Sequence, residues 1–385
     1  MIYLDSAATT PADELVLNVA MPYYNIHYGN PGSLHSAGRM AAKAICLART
    51  KVAEFFCCDQ NEIVFTSCGS EGNSTVFNTV KDSLIRSGRT HVLVSAVEHE
   101  SVIRAAMSLE YAGFDVEFVP VGKDGVVSIS VFEKMVKPTT GFVSIMYVNN
   151  EIGSVNPVNE IGKICKENNI IFHTDCVQAA GLFDLDVNKI CCNYATISGH
   201  KINGLKGTGA LYAKRCNLKP LILGGQHQEH GVRGGTENVP GIVALGEACR
   251  LTMLNMRDNI ESSCRAKQEF YLKLESEIER LNINRGIVHI NGARPIETGK
   301  ILSMRFDGVD SQSLILMADS MGVCISAGSA CQSKEMTTSH VLSAIGLSDS
   351  EARSVVRFSF SKDVSVESAR EAAEIIARCL KVLLR

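Results

Sequence analysis

Ser198-Gly199-His200-Lys201-Ile202-Asn203-Gly204-Leu205-Lys206-Gly207-Thr208-Gly209 follows directly on the apolar run 194–197. A lysine just past a buried strand, in a glycine-rich turn, is stripped of water yet open to ligand. That setting suits an amine that must form a Schiff base, the chemistry of pyridoxal phosphate. A plain surface Gly-Lys loop looks the same over so short a stretch, so the rest of the chain has to decide.

Working outward, five short apolar runs each end in a polar cluster, with helix-length segments between them. Residues 62–65 precede Thr66-Ser67-Cys68-Gly69-Ser70, 92–97 precede Glu98-His99, and 142–148 precede Asn149-Asn150. Residues 170–172 precede His173-Thr174-Asp175, and 194–197 precede the lysine turn. Strands alternating with helices imply an α/β fold with right-handed crossovers and a mostly parallel sheet. Such sheets bind ligands beyond the carboxyl ends of their strands, so all five clusters can converge on one site. Residues 240–281 then read as one long helix able to bridge two domains. Beyond it, strands at 301–306, 322–325 and 355–360 and helices at 312–320, 339–345 and 366–384 describe a smaller α+β domain. The expected division is 14–258 for the large cofactor-binding domain and 259–385, with 1–13, for the small one.

Composition bounds the function. With 385 residues, 45% hydrophobic and 21% charged, the chain can bury a large core. Its 38 basic and 41 acidic residues leave a net charge of -3 without single-sign blocks, so no direct nucleic acid or membrane partner is expected. No basic segment followed by an apolar core opens the chain, which predicts a cytoplasmic location. The fourteen cysteines are then reduced and mostly buried. Cys57-Cys58 and Cys191-Cys192 lack C-x-x-C spacing, and His227 and His230 lack a nearby third ligand, so no metal is expected.

Pyridoxal phosphate needs a lysine, a carboxylate at its pyridine nitrogen, a phosphate cradle and something stacked on its ring. Asp175, following an apolar run, suits the ring nitrogen, since a buried aspartate is costly without a positive partner. It equally suits a helix cap. Gly69 and Ser70, at a strand end where a helix begins, offer backbone N–H groups, a hydroxyl and a helix dipole to a phosphate, as any helix start does. His99 is placed to lie on the ring or simply to pack, and His200 either reaches the phosphate or stands by.

The segments Tyr3-Leu4-Asp5-Ser6-Ala7-Ala8-Thr9-Thr10, Gly29-Asn30-Pro31, Glu98-His99-Glu100, Asn149-Asn150-Glu151-Ile152-Gly153, His173-Thr174-Asp175-Cys176-Val177-Gln178, Ser198-Gly199-His200-Lys201 and Ser326-Ala327-Gly328-Ser329-Ala330-Cys331 closely resemble, in order and spacing, the cysteine desulfurases of NifS/IscS type. The resemblance runs from residue 3 to about 360. It implies the class V aminotransferase fold (fold type I), a homodimer, pyridoxal 5'-phosphate, and transfer of sulfur from L-cysteine to an enzyme persulfide with release of L-alanine. It further implies that Lys201 holds the cofactor, Asp175 pairs with its ring nitrogen, Gln178 bonds its ring hydroxyl and His99 stacks and assists proton transfer. Gly69, Ser70, Ser198 and His200 would hold the phosphate, joined across the dimer by Thr236. Asn150 and Arg357 would bind the substrate carboxylate, with Asn30 nearby. From the sequence alone, Arg357 lies in a strand whose alternation leaves its face undecided, and a surface salt bridge fits it as well.

Cys331 would be the persulfide-forming residue and separates desulfuration from transamination. It sits among small and polar residues unsuited to rigid packing, as a travelling thiol requires. The persulfide would pass to a sulfur acceptor, such as an iron-sulfur scaffold whose cluster Cys331 could help ligate, or to a thiolation pathway. A selenocysteine lyase, another enzyme of the family, or a noncatalytic sulfur carrier are the alternatives. Two departures stand out: Leu205 occupies a place where proline is usual, which leaves Lys201 and His200 in register and the tightness of the turn open, and Cys176 stands where a small residue such as alanine is typical. Cys176 is either a buried filler or a second active-site thiol.

Overall fold

The computed structural model describes residues 1–216, 218–292, 300–328 and 339–384. Its strands are β1 (Ile2–Tyr3), β2 (Ile63–Thr66), β3 (His91–Ser95), β4 (Asp115–Val119), β5 (Thr140–Ser144), β6 (Ile171–Asp175), β7 (Tyr194–Ser198), β8 (Gly209–Ala213), β9 (Val288–Asn291), β10 (Ile301–Phe306), β11 (Val323–Cys324) and β12 (Val355–Ser359). The large sheet has the order β2-β8-β7-β6-β5-β3-β4, and every strand except β8 runs the same way. The mostly parallel α/β fold expected from the sequence is therefore present.

Alternate residues of each central strand feed two cores. Phe65, Leu93, Val143 and Phe172 pack with helices Ser36–Phe56 and Val158–Glu167 on one face. Val64, Val92, Val94 and Phe142 pack with helices Gly69–Ser87 and Glu100–Tyr111 on the other. Burial on both faces is why these strands appear in the sequence as unbroken apolar runs. Two strands of this sheet escaped the sequence reading. β4 is an edge strand, mostly exposed or half-buried. β8, Gly-Ala-Leu-Tyr-Ala, has no β-branched residue and is recognisable only by its antiparallel place between β2 and β7.

A 42-residue helix, Val239–Arg280, joins this sheet to a second core. Its first half contributes Ile242, Leu245 and Ala248 to the large-sheet core. Its second half contributes Ala266, Phe270, Leu274 and Ile278 to the core formed with the antiparallel sheet β9-β10-β12 and helix Val366–Leu383. The two-stranded pair β1-β11 closes that end, so the N-terminus belongs to the second core. Among the described residues no helix is long and apolar enough to cross a membrane.

Phe270 lies fully buried between Phe358 and Phe360, with ring centroids 4.7 and 5.6 Å away. Truncation there leaves a cavity that a sheet and two helices cannot collapse to fill. Phe270→Ala should lower unfolding stability by about 3–5 kcal/mol, read from the urea midpoint at constant slope.

Candidate active site

The carboxyl ends of β2, β3, β5, β6 and β7 open onto one cavity of about 290 Å³. Lys201, Asp175, Gln178, His99, Gly69, Ser70, Ser198, His200, Asn150 and Arg357 all line it. The helix Gly69–Ser87 begins there with no side-chain cap, leaving its first amides open toward the cavity. A Cβ at Gly69 would come within 2.9 Å of Val177, and one at Gly72 within 2.7 Å of Thr196, so glycine lets this helix end sit tight on the sheet.

The lysine turn is closed by its own backbone. Gly199 N–H donates to Thr208 O at 2.9 Å, and Ile202 and Gly204 N–H both donate to Gly199 O. At Leu205 the turn stays closed: its carbonyl accepts from Thr208 Oγ1 at 2.9 Å and its side chain packs on the large-sheet core. The N-terminal segment then fastens the turn from outside. Lys201 Nζ donates to Ala7 O and Ala8 O at 2.5 and 2.8 Å, His200 Nδ1 meets Thr9 Oγ1 at 3.1 Å, and Thr10 N–H donates to His200 O at 2.9 Å. Burial, followed by the charges of Lys300 and Arg357, lowers the Lys201 amine to about 7. Such an amine can carry or release a proton near neutral pH.

Asp175 and His99 are joined by two residues that sequence reasoning missed. Asn73 Nδ2 donates to Asp175 Oδ2 at 2.8 Å and to Ser101 Oγ at 3.0 Å, and Ser101 Oγ meets His99 Nδ1 at 2.8 Å. Because Nδ1 also accepts from the Ser101 N–H, the neutral imidazole carries its proton on Nε2. Nothing in an isolated Asn or Ser marks this role; only spacing on two facing helices creates it. Asp175 also accepts from Val177 N–H at 2.9 Å, so it shapes its own turn while facing the cavity.

Arg357 is buried, and its partners settle its face. It donates to Asn150 O and to Asp5 Oδ1, both at 2.8 Å, while its Nε has no partner among the described residues. Glu98, fully buried in the same lining, accepts from Met146 N–H at 2.5 Å, and burial raises its carboxyl well above the ordinary range. Glu151 accepts from Ser339 Oγ at 2.6 Å, and a Cβ on Gly328 would lie 3.0 Å from the same carboxylate. Burial raises Glu151 as well. His340, also lining the cavity, reaches Glu98 O at 2.8 Å.

Two expected residues are not in this lining: Asn30 is exposed and accepts from Gly32 N–H, and Thr236 is exposed. Cys331 lies outside the described residues. Cys176 is fully buried in the large-sheet core with its thiol pushed upward by desolvation, so it is the filler and not a second active-site thiol. Cys68, by contrast, lines the cavity. Twelve cysteines among the described residues carry free thiols. Among the described residues, His91, Asp115 and Glu117 have metal-ligand spacing, but the Lys137 ammonium already bridges both carboxylates. His227 and His230 are exposed and outside that group.

Residues 2–370 match the family model described as aminotransferase class-V. The chain is 36% identical over 387 residues to a cysteine desulfurase of Nostoc sp., covering 100% of this chain and 94% of that protein. The chain belongs to the class V aminotransferase family, among its cysteine desulfurases. It is also 38% identical over 385 residues to the putative cysteine desulfurase IscS 1 of Bacillus subtilis, covering 99% of each. A solved NifS-like protein superposes with a TM-score of 0.89 at 31% identity over 99% of both chains. SspA in complex with cysteine superposes with a TM-score of 0.78 at 32% identity, over 94% of this chain and 99% of that one. This cysteine desulfurase-family chain is therefore an enzyme.

Burial holds His173 at about 3 and, with Lys201 next, His200 at about 4, both below the ordinary 6.5. The unfolded chain takes up these protons first, so the stability they contribute is complete above pH 6.5 and is lost as the pH falls below it. For the fully buried His173 the slope is about 1.4 kcal/mol per pH unit. The urea midpoint should fall steadily from pH 6.5 to 4, and His173→Gln should flatten that fall.

Proposed function

We propose that this enzyme is a pyridoxal phosphate-dependent L-cysteine desulfurase that leaves sulfur as a persulfide on Cys331 and releases L-alanine. The observation that carries the reading is the single cavity joining a near-neutral lysine, a buried aspartate, a neutral imidazole and a buried arginine. The cavity's unsatisfied atoms fit the cofactor. Ser198 Oγ and Gln178 Oε1 are buried without partners among the described residues, one beside the open helix start and the other beside Asp175, where a phosphate and a ring hydroxyl would supply them. Asp175 makes no ion pair among the described residues, and a protonated ring nitrogen would provide one.

In this reading Lys201 holds the cofactor, Asp175 bonds its ring nitrogen and Gln178 its hydroxyl, and His99 stacks on it. Gly69, Ser70, Ser198 and His200 receive the phosphate, with Thr236 contributed by a second subunit. When bound, the cofactor supplies a sink for the electron pair at the substrate α-carbon. Arg357 and Asn150, with Asn30 nearby, orient the substrate carboxylate; Asp5 keeps the guanidinium fork in place while its Nε stays open. Neutral Lys201 takes the α-proton. The Cys331 thiolate forms a bond to the substrate sulfur as the carbon–sulfur bond breaks, and the electron pair left on the substrate carbon takes up a proton to give alanine.

Gly328 and Ser339, on either side of Cys331, both meet Glu151 at the cavity wall. Cys331 is three residues from Gly328, a reach of at most about 11 Å. A homodimer is supported by the exposed apolar side chains of Met21, Ile26, Leu34, Leu47 and Leu223, and by the exposure of Thr236 away from its own cavity. The persulfide would then pass by thiol exchange to a sulfur-acceptor protein such as an iron-sulfur scaffold, in the cytoplasm.

Cys331→Ser should reduce cysteine-dependent alanine and sulfide formation by about two orders of magnitude or more while the bound cofactor's visible absorbance persists. Full activity in that variant would overturn the reading. Size-exclusion chromatography with light scattering should show a dimer, and a fully active monomer would remove Thr236 from the site.

A further inference from the structure

Behind the lysine turn lies a second, smaller cavity of about 50 Å³, lined by Lys201, Lys300 and Lys362 together with Thr10, Asn203 and Asn259. Lys300, immediately before β10 in the second core, is buried, and its Nζ donates to the carbonyl oxygen of Lys201 at 3.1 Å. Among the described residues it has no carboxylate partner. Asp5 is engaged by Arg357 at 2.8 Å and Asp13 by Lys362 at 2.7 Å. Burying an ammonium is costly, and here its hydrogen bond is made to the carbonyl of the lysine turn.

We infer that Lys300 is a positioning residue for Lys201, fixing the lysine turn through its carbonyl and placing a positive charge behind the catalytic amine. This rests on the reading of Lys201 as the cofactor-bearing lysine. Two effects follow from the one contact. The hydrogen bond ties the turn of one core to the strand β10 of the other, so the amine is aimed by both. The charge disfavours a second ammonium nearby, and after burial it is the largest influence lowering Lys201 toward neutrality. The other groups facing Lys201 are accounted for. Arg357 pushes the same way, Asp5 and Asp175 push against it, and His99 and His200 are kept neutral by their own burial. Lys300 is itself lowered to about 8, by burial first and then by Arg357.

The test compares Lys300→Met, which removes both charge and hydrogen bond, Lys300→Gln, which keeps a donor without the charge, and Lys300→Arg, which keeps both. The primary readout is the titration of the Lys201 amine itself, followed by trace acetylation with acetic anhydride and mass spectrometry on full-length protein freed of cofactor. A pH titration of the cofactor's visible absorbance in the loaded enzyme is the second. Wild-type Lys201 should titrate near neutrality; an ordinary lysine value would overturn the proposal outright. Met and Gln variants should both raise the Lys201 titration by about one pH unit and move the absorbance transition upward, whereas Arg should leave both near wild type. If Lys300→Met fails to fold, Lys300→Gln carries the same comparison. An unshifted Lys201 titration in a folded neutral variant removes Lys300 from this role, even if activity falls. Protein that never binds the cofactor would instead count against the catalytic reading, and the acetylation titration would still be read.

Discussion

The active cavity depends on a short N-terminal segment that is bonded to both cores at once. Ile2 and Leu4 N–H donate to the carbonyls of Gly322, just before β11, and of Cys324 on it, Ser359 N–H donates to Leu4 O at 2.7 Å, and Ser359 Oγ accepts from Ala7 N–H at 2.9 Å. Within three residues the same chain turns its Ala7 and Ala8 carbonyls onto Lys201 Nζ and its threonines onto His200 and Asn203. Asp5 meanwhile holds Arg357. Each polar contact is made where water is largely excluded, so a missing partner costs far more than the bond gains in water. The lysine turn of one sheet and the arginine strand of the other are thereby held in a fixed mutual geometry.

The electrostatics of the cavity follow from that enclosure. Lys201, Lys300 and Arg357 crowd together, and desolvation, with this crowding, favours neutral amines. Two carboxyls in the same wall, Glu98 and Glu151, are shifted toward their neutral forms by burial, while the histidines lose their proton affinity for the same reason. A site that must move protons near pH 7 thus obtains its tuned groups mainly from exclusion of water, with neighbouring charges adjusting the order in which they titrate. The atoms left without partners, on Ser198, Gln178 and Arg357, face or flank the same space, which is where a bound ligand would complete them.

Much of this was legible in the chain because strand-end chemistry is local. Lys201, Asp175, His99 and Gly69-Ser70 each follow an apolar run within a few residues, and a parallel sheet forces such positions to one edge. The faces of β12, the antiparallel β8 and the Asn73–Ser101 bridge were not legible. Arg357 lies in a strand buried on both sides, so no alternation reveals its direction. Asn73 and Ser101 belong to separate helices and become neighbours only when both pack on the same face of the sheet.

The sequence by itself determined the fold class, the strand-end residues and the resemblance to the cysteine desulfurases, since periodicity, strand-end motifs and their order are properties of the chain. Only the tertiary structure decided that Leu205 leaves the turn closed, that Cys176 is core, that Arg357 points inward to Asp5, and that Lys300 stands behind Lys201. The last two depend on contacts between residues about 100 to 350 positions apart, whose partners are chosen by packing and desolvation and not by local pattern.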